Sequence, residues 1–408
     1  MRSILITGPG GSGRSTVAAA TALVAARSGY RVLLLGADRD DTLGAALGVA
    51  SGPEPVDVEP GLRVWRPDPA RGFRDDLAAL QDRAASALDL LGAARLDPEE
   101  LTPLPGAGEL ALLRALRDAA LAEAHDVLVV DLPAAPQALA LLALPEELRR
   151  YLRRLLPPER QAARALRPML GRLAGVPVPT EALYEAVARW DLELAAAEAV
   201  LADRDTVVRL VAEPGPAGAD AVRLARLGLA LRGLRTDLLI ANRTLPEDTH
   251  ADSWLAGPLA QQRKTLDEWR AGHAVHTLPH LGRDPRGTDD LTALAAPGAL
   301  GSDPGDPVDP GGRVAWPVTD RRAEDGVLVW HIPLPGATRD DLDLVRRGDE
   351  LVVTAGPFRR IVPLPSALRR CTVAGAALRE GTLAVRFTPD PRLWPSGNVV
   401  GTNRNDEA

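Results

Sequence analysis

Cysteine is almost missing from this chain: Cys371 is the single one in 408 residues. No disulfide can close within it, and neither a four-cysteine zinc site nor a cysteine-built metalloid site can be assembled. A reducing compartment suits such a composition, so a cytoplasmic protein is expected. Long apolar runs are missing too. Stretches such as Ala138 to Pro145 fall far short of the roughly 20 residues needed to cross a bilayer, which excludes a transmembrane transporter. No charged, apolar and small-residue succession of a signal peptide opens the chain, so no targeting is expected. A basic excess is lacking: 48 Lys and Arg stand against 55 Asp and Glu, for a formal charge of −7. That balance argues against a general nucleic-acid binder and leaves anionic ligands to local basic pockets. Lysine itself is reduced to Lys264, and arginine carries every other fixed cationic side chain.

What remains is 46% hydrophobic and 25% charged, the balance of a soluble globular protein, and the length fits two or three domains. From Ser3 to about Pro279, short β-branched or leucine-rich runs (SILIT, RVLLLGA, DVLVVD, TVVRLVA, DLLIAN, AVHTLP) alternate with helical patterns. That alternation predicts an α/β domain over residues 1–294, a parallel sheet with helices on both faces. Leu148 to Asp203 lacks strand signals and reads as a helical insertion. Within it Leu183, Val187, Trp190, Leu194, Ala197 and Leu201 repeat at 4-3-4-3-4 spacing, which marks one helix face for packing on the domain or for a client or dimer partner. Residues 295–322 crowd proline, glycine and aspartate into a linker. Residues 323–390 follow as strand-like runs punctuated by turns, a small all-β sandwich, and 391–408 form a polar tail.

The chemistry begins in the first turn. Residues 8–15 read GPGGSGRS between a strand and a helix, so backbone N–H groups of Gly8, Gly10, Gly11, Ser12 and Gly13 and a helix N-terminus are offered to an anion. Two readings compete. Gly8, Gly10 and Gly13 satisfy the G-x-G-x-x-G dinucleotide fingerprint, with Asp38 as its acidic partner. Gly8-x-x-x-x-Gly13-Arg14-Ser15 satisfies the P-loop pattern except for arginine in place of lysine, with Ser15 placed for Mg²⁺ and Thr16 beside it. His273, His276 and His280 straddle a predicted strand and share no face, so they read as structural or surface residues.

The runs VLLLGADRDDTLGAALG, LPGAGELALL, VLVVDLPAAPQALALLALP and LLIANRTLPED resemble, in order and spacing, the arsenite-pump (ArsA) and tail-anchored-protein targeting ATPases, over about residues 1–290. The resemblance favours the P-loop reading and implies ATP or ADP with Mg²⁺. It casts Asp38 as the switch I aspartate that orients water, with Arg14 on phosphates and Asn242 on adenine. Ser15 would reach Mg²⁺ directly and Asp131 from behind it. Departures are plain. Pro9 and Arg14 stand where the family has two P-loop lysines, Arg39, Asp40 and Asp41 replace Pro-Ala-His in switch I, and Ala134 to Gln137 replace the Pro-Thr-Gly-His core of switch II. Arginine keeps the charge but is too wide for the phosphate cradle, so either slow hydrolysis or a nucleotide-binding pseudo-ATPase is expected. The cysteines of metalloid pumps and of zinc-joined targeting dimers are absent; a protein client or a dimer partner of the same family is implied.

Residues from about Asp325 to Pro389 resemble the α-crystallin (small heat-shock protein) domain, through VLVWHIPLPGATRDDLDL, RRIVPLP and the A-x-x-x-G-x-L turn at Ala377, Gly381 and Leu383. No I-x-I motif follows. This resemblance implies a chaperone-like or scaffold role for the sandwich.

Overall fold

Strands with uninterrupted apolar sequence sit at the centre of a sheet, because both their faces are covered. Val32–Gly36 (β2) and Val127–Asp131 (β5) are buried at every position, and Arg2–Thr7 (β1) at all but its first. In a computed structural model of the chain, residues 1–155, 181–247, 254–295 and 316–394 are described, apart from 37, 39, 84, 86–88, 90, 91 and 93. By its internal contacts the chain divides into one unit of Met1–Ala225 with Leu234–Arg313 and another of Arg226–Gly233 with Val314–Ala408.

The first unit holds an eight-stranded sheet. With Val56–Glu59 (β3), Leu62–Trp65 (β4), Thr206–Ala212 (β6), Thr236–Thr244 (β7) and Val275–Pro279 (β8), its order is β3-β4-β2-β5-β1-β6-β7-β8. All pairs are parallel except β3 with β4, so the expected parallel sheet carries one antiparallel edge strand. β3 and β4 are four residues each, too short for a period to register in sequence. β1 lies between β5 and β6, with β5 separating it from β2. A dinucleotide-binding sheet of order 3-2-1-4-5-6 would put β1 beside β2, so the topology sides with the P-loop parse.

The sheet is covered on both sides. Arg14–Arg27 (α1) is an alanine-rich helix buried from Val17 to Leu23, and it packs with Thr42–Leu47 (α2) and, later in the chain, Gly287–Leu294. Elsewhere lie Pro69–Arg83 (α3), Ala107–Leu121 (α4), Ala135–Leu155 (α5) and Glu181–Ala202 (α6), with α4 packing on β2 and α6 on β6. The helical region expected from Leu148 is entered by α5, which starts at Ala135, directly behind β5. Residues 156–180 of that region lie outside the described residues. On the predicted face of α6, Leu194, Ala197 and Leu201 are buried while Trp190 is 45% exposed; the side chain of Leu183 lies outside the described residues. Arg149 of α5 holds α6 through Asp191 at 3.0 Å and Glu198 at 2.5 Å. Pro145 lies buried inside α5.

The second unit is all antiparallel. Val318–Arg321 (β9), Val327–Pro333 (β10), Cys371–Arg379 (β14) and Thr382–Pro389 (β15) form one sheet in the order β14-β15-β10-β9. Leu342–Arg347 (β11), Glu350–Ala355 (β12) and Phe358–Pro363 (β13) form the other. Leu383, Val385 and Phe387 alternate inward along β15 to meet Trp330, Ile332 and Val353. β9 falls within the expected linker, whose residues 296–315 lie outside the described residues, as does the tail beyond 394. Trp394 is sandwiched by the guanidiniums of Arg322 and Arg370, 4.8 and 5.3 Å from its ring centre.

The β14–β15 turn explains the A-x-x-x-G-x-L motif. Arg379 pairs with Thr382 across a two-residue loop in which Glu380 and Gly381 both have positive φ, 47° and 70°, the type I′ geometry. A Cβ on Gly381 would also press on Pro335 Cα. Gly381→Ala is expected to destabilise this unit by about 1–2 kcal/mol in urea unfolding, whereas Thr382→Ala beside it costs under about 1 kcal/mol.

Candidate functional site

β1 delivers the chain into the glycine-rich loop, and the loop's shape is dictated by what it packs against. A Cβ on Gly8 would collide with the Val211 carbonyl of β6, and one on Gly13, at φ 85°, with the Asn242 amide of β7. Gly11 is also at positive φ, 80°, but Gly10 is not, and a Cβ there meets nothing. Gly13 caps α1, so the free N–H groups of that helix's first turn face the loop.

Three long-range side-chain hydrogen bonds brace the loop, beside the backbone bond from Ala135 N to Gly8 O at 2.9 Å. Asn242, 4% exposed, donates from Nδ2 to Ser12 O at 2.8 Å. Arg243, held at φ 56° beside a bulge in β7, donates to Gly11 O at 3.0 Å and to Glu213 at 2.8 Å. Arg14 donates from Nη1 to Leu132 O at 2.5 Å, so its guanidinium is engaged with the backbone that follows β5. Arg243 escaped the sequence reading, because nothing local in ANRTLPE announces a residue that reaches a loop more than 200 positions away.

Ser15 is the junction of the site. Its hydroxyl neighbours the Asp131 carboxyl at the end of β5, favouring its charged form, and lies 3.2 Å from Thr42 Oγ1, which donates to Asp38 Oδ2 at 3.0 Å. The chain of contacts thus runs from Asp131 through the loop to the segment after β2. Asp131 is buried between Ile6 and Gly36 in neighbouring strands, and its Oδ1 has no hydrogen-bond partner among the described residues. Burial pushes its carboxyl up to about 6; the Ser15 hydroxyl and the nearby Arg14 pull it down, and Asp38 pushes it further up. Two carboxylates around one hydroxyl form a hard-oxygen set suited to Mg²⁺ shared with phosphate oxygens and water. No cluster of three or more His, Cys, Asp or Glu that could hold a metal alone occurs among the described residues.

The altered residues after β2 have a structural use. Asp41, at φ 51°, accepts from Gly44 N and Ser51 N at 3.1 Å each and from the Ser51 hydroxyl, and so caps α2. Arg39 lies outside the described residues. A cavity of about 790 Å³ opens over Arg14, Ser15, Asp38 and Asp131, with the first residues of α3 and α4 and Leu141 of α5 as its far wall. On the loop's other side, a small pocket of about 20 Å³ is lined by Gly13, Thr16, Asn242 and Arg243 together with Pro279, His280 and Leu281. His280 Nδ1 accepts from Gly282 N at 2.9 Å, a turn-closing role.

Packing predicts that Gly8→Ala and Gly13→Ala each destabilise the first unit by about 2 kcal/mol or more, while Gly10→Ala stays within about 0.5 kcal/mol, as read by urea unfolding. Titration supplies a second expectation. A carboxyl whose native value is raised contributes stability in full below its ordinary range near 4 and loses it as pH rises through about 6. In nucleotide-free protein, Asp131→Asn should therefore gain on the parent between pH 5 and 7.5, by at most about 3 kcal/mol. An unchanged gap would mean that Asp131 is hydrated in solution.

Comparison with known proteins agrees with this geometry. The profile of the anion-transporting ATPases matches residues 1–297, and that of the HSP20-like domain found in ArsA matches residues 325–387. Uncharacterized protein SCO2128 of Streptomyces coelicolor is 80% identical, over 97% of this chain and all of its own. Protein Rv2184c of Mycobacterium tuberculosis is 34% identical over 97% of this chain and 98% of its own. Putative arsenical pump-driving ATPase 1 of Aquifex aeolicus is 26% identical over 94% and 99%. With its glycine-rich loop between β1 and α1 and its C-terminal sandwich, the chain belongs to the anion-transporting (ArsA) ATPase family and carries that family's HSP20-like domain.

Proposed function

We propose that the protein binds Mg-ATP or Mg-ADP on Gly8, Gly10, Gly11, Ser12, Gly13, Arg14, Ser15 and Thr16 and hydrolyses ATP slowly, in the cytoplasm. The observation that carries this reading is the Ser15 hydroxyl set between buried Asp131 and the Thr42–Asp38 pair, at the floor of a cavity large enough for a nucleotide's phosphates. The loop's N–H groups and the start of α1 bind the phosphates. Mg²⁺, when bound, neutralises phosphate charge and orients the terminal phosphoryl group. Ser15 and, behind it, Asp131 hold that ion, and Asp38, freed from Thr42, orients the attacking water. Asn242 selects the base: with Nδ2 committed to Ser12 O, its Oδ1 is left to accept from an exocyclic amino group such as adenine's, which guanine lacks at the matching position.

Slow turnover follows from Arg14. A P-loop lysine places a compact ammonium between β- and γ-phosphates, whereas this guanidinium is drawn to Leu132 O, and Pro9 supplies neither a cation nor an N–H. That same engagement favours a second reading, a pseudo-ATPase whose nucleotide is structural and whose sandwich does chaperone-like or scaffold work. Either form would act on a protein client or with a partner of the same family.

Calorimetry should show Mg-ADP binding and no binding of NAD; the reverse order would restore the dinucleotide parse. Arg14→Lys should raise steady-state phosphate release by about tenfold or more, and Asp38→Asn should abolish the gain. If Arg14→Lys leaves release at the blank rate while Mg-ADP still binds, the pseudo-ATPase reading stands and hydrolysis is rejected.

A further inference from the structure

Away from the nucleotide cavity, the helices of the first unit enclose a second one of about 370 Å³. Its walls come from Phe73 and Leu77 of α3, Leu110 of α4, Leu148 and Leu152 of α5 and Trp190 of α6, whose ring stands at the mouth, 45% exposed. Aliphatic side chains on four helices would ordinarily interdigitate and leave no void wider than a water molecule. Here they stop short of one another. A dry apolar cavity of about 150 Å³ takes a benzene ring, so this one has room for about 12–15 carbon atoms.

The charged side chains at the cavity are concentrated in one group. Arg114 pairs with Asp76 at 2.5 Å and Arg117 with Asp118 at 2.8 Å. Glu193 is the loose member, 3.3 Å from Arg117 and 3.7 Å from Arg114, and neither contact is a hydrogen bond of normal length. Asp118 is not part of the wall, so two guanidiniums face two lining carboxylates, Asp76 and Glu193, and an anionic head group would be left as the one unbalanced charge. The under-bonded carboxylate of Glu193 instead accepts a proton donor.

We propose that this cavity is a binding site for one long-chain aliphatic alcohol, its chain of about 12–15 carbons among the leucines and its hydroxyl donating to Glu193. The site needs no nucleotide, and it stands or falls apart from the reading of the glycine-rich loop.

The test uses the full chain without nucleotide, with Nile red as reporter and 1-dodecanol, 1-octanol and dodecanoate as competitors, and native mass spectrometry for stoichiometry. One 1-dodecanol per chain is expected, displacing Nile red at least tenfold more effectively than 1-octanol or dodecanoate. Leu152→Trp, which fills the cavity, should weaken 1-dodecanol at least tenfold; if it unfolds, Leu110→Phe serves as the milder filling. Glu193→Gln should remove the discrimination against dodecanoate, because one guanidinium of the wall is then left without a lining carboxylate. Absence of saturable 1:1 binding, or equal competition by dodecanoate in the parent chain, would overturn the proposal. So would indifference to the filling substitution that folds.

Discussion

The hydrogen bond from the Asn242 amide to the Ser12 carbonyl is the contact on which the glycine-rich loop turns. It joins residues 230 positions apart, is buried, and sits against a glycine that tolerates no side chain. Its net worth is of the order of 1 kcal/mol, but losing one partner would strand a buried carbonyl or amide at greater cost. With Asn242 in place, Gly13 can cap α1, the first turn of that helix keeps its N–H groups free, and Ser15 is presented to Asp131. Arg243 and Arg14 extend the same logic to the loop's apex and to the backbone after β5. The loop is therefore shaped by strands β6 and β7 rather than by its own sequence.

This dependence on distant partners separates what the sequence discloses from what it does not. Central strands announce themselves because covering both faces demands an unbroken apolar run, as in Val32–Gly36. Gly381 is legible because a two-residue hairpin loop needs positive φ at a predictable offset. The glycines of residues 8–13 mark the tight turn between β1 and α1, and Ser15, Asp38 and Asp131 line one cavity beside it. Short strands such as β3 and β4 leave no room for a period, and β9 hides in a stretch dominated by proline and glycine. The direction taken by Arg14 is invisible in sequence, because its acceptor is a main-chain carbonyl 118 residues on. The dual position of Asn242, braced against the loop on one side and lining the small pocket on the other, is equally a product of packing.

Departures from a family pattern need not be erosion. Asp41 takes a histidine's place after β2, yet its carboxylate collects two backbone N–H groups and a hydroxyl and fixes the start of α2. The cost is a left-handed backbone, which aspartate tolerates better than most residues. Thr42, next in the chain, is thereby held where it can reach both Asp38 and Ser15. Arg14 is a different case: the one cation of residues 8–15 is bonded to the main-chain carbonyl of Leu132 while it lines the cavity.

Helix α5 lines both the cavity over Ser15 and the apolar one. Its Leu141 lines the wall over Ser15, its Leu148 and Leu152 line the apolar void, and Pro145 lies between them. Proline has no N–H, so the carbonyl of Leu141 is already without its helical partner. Elsewhere the helix is held by a full ladder of bonds; at this joint one rung is missing. Of all the places where α5 could bend, the one between its two lined walls is where bending costs least.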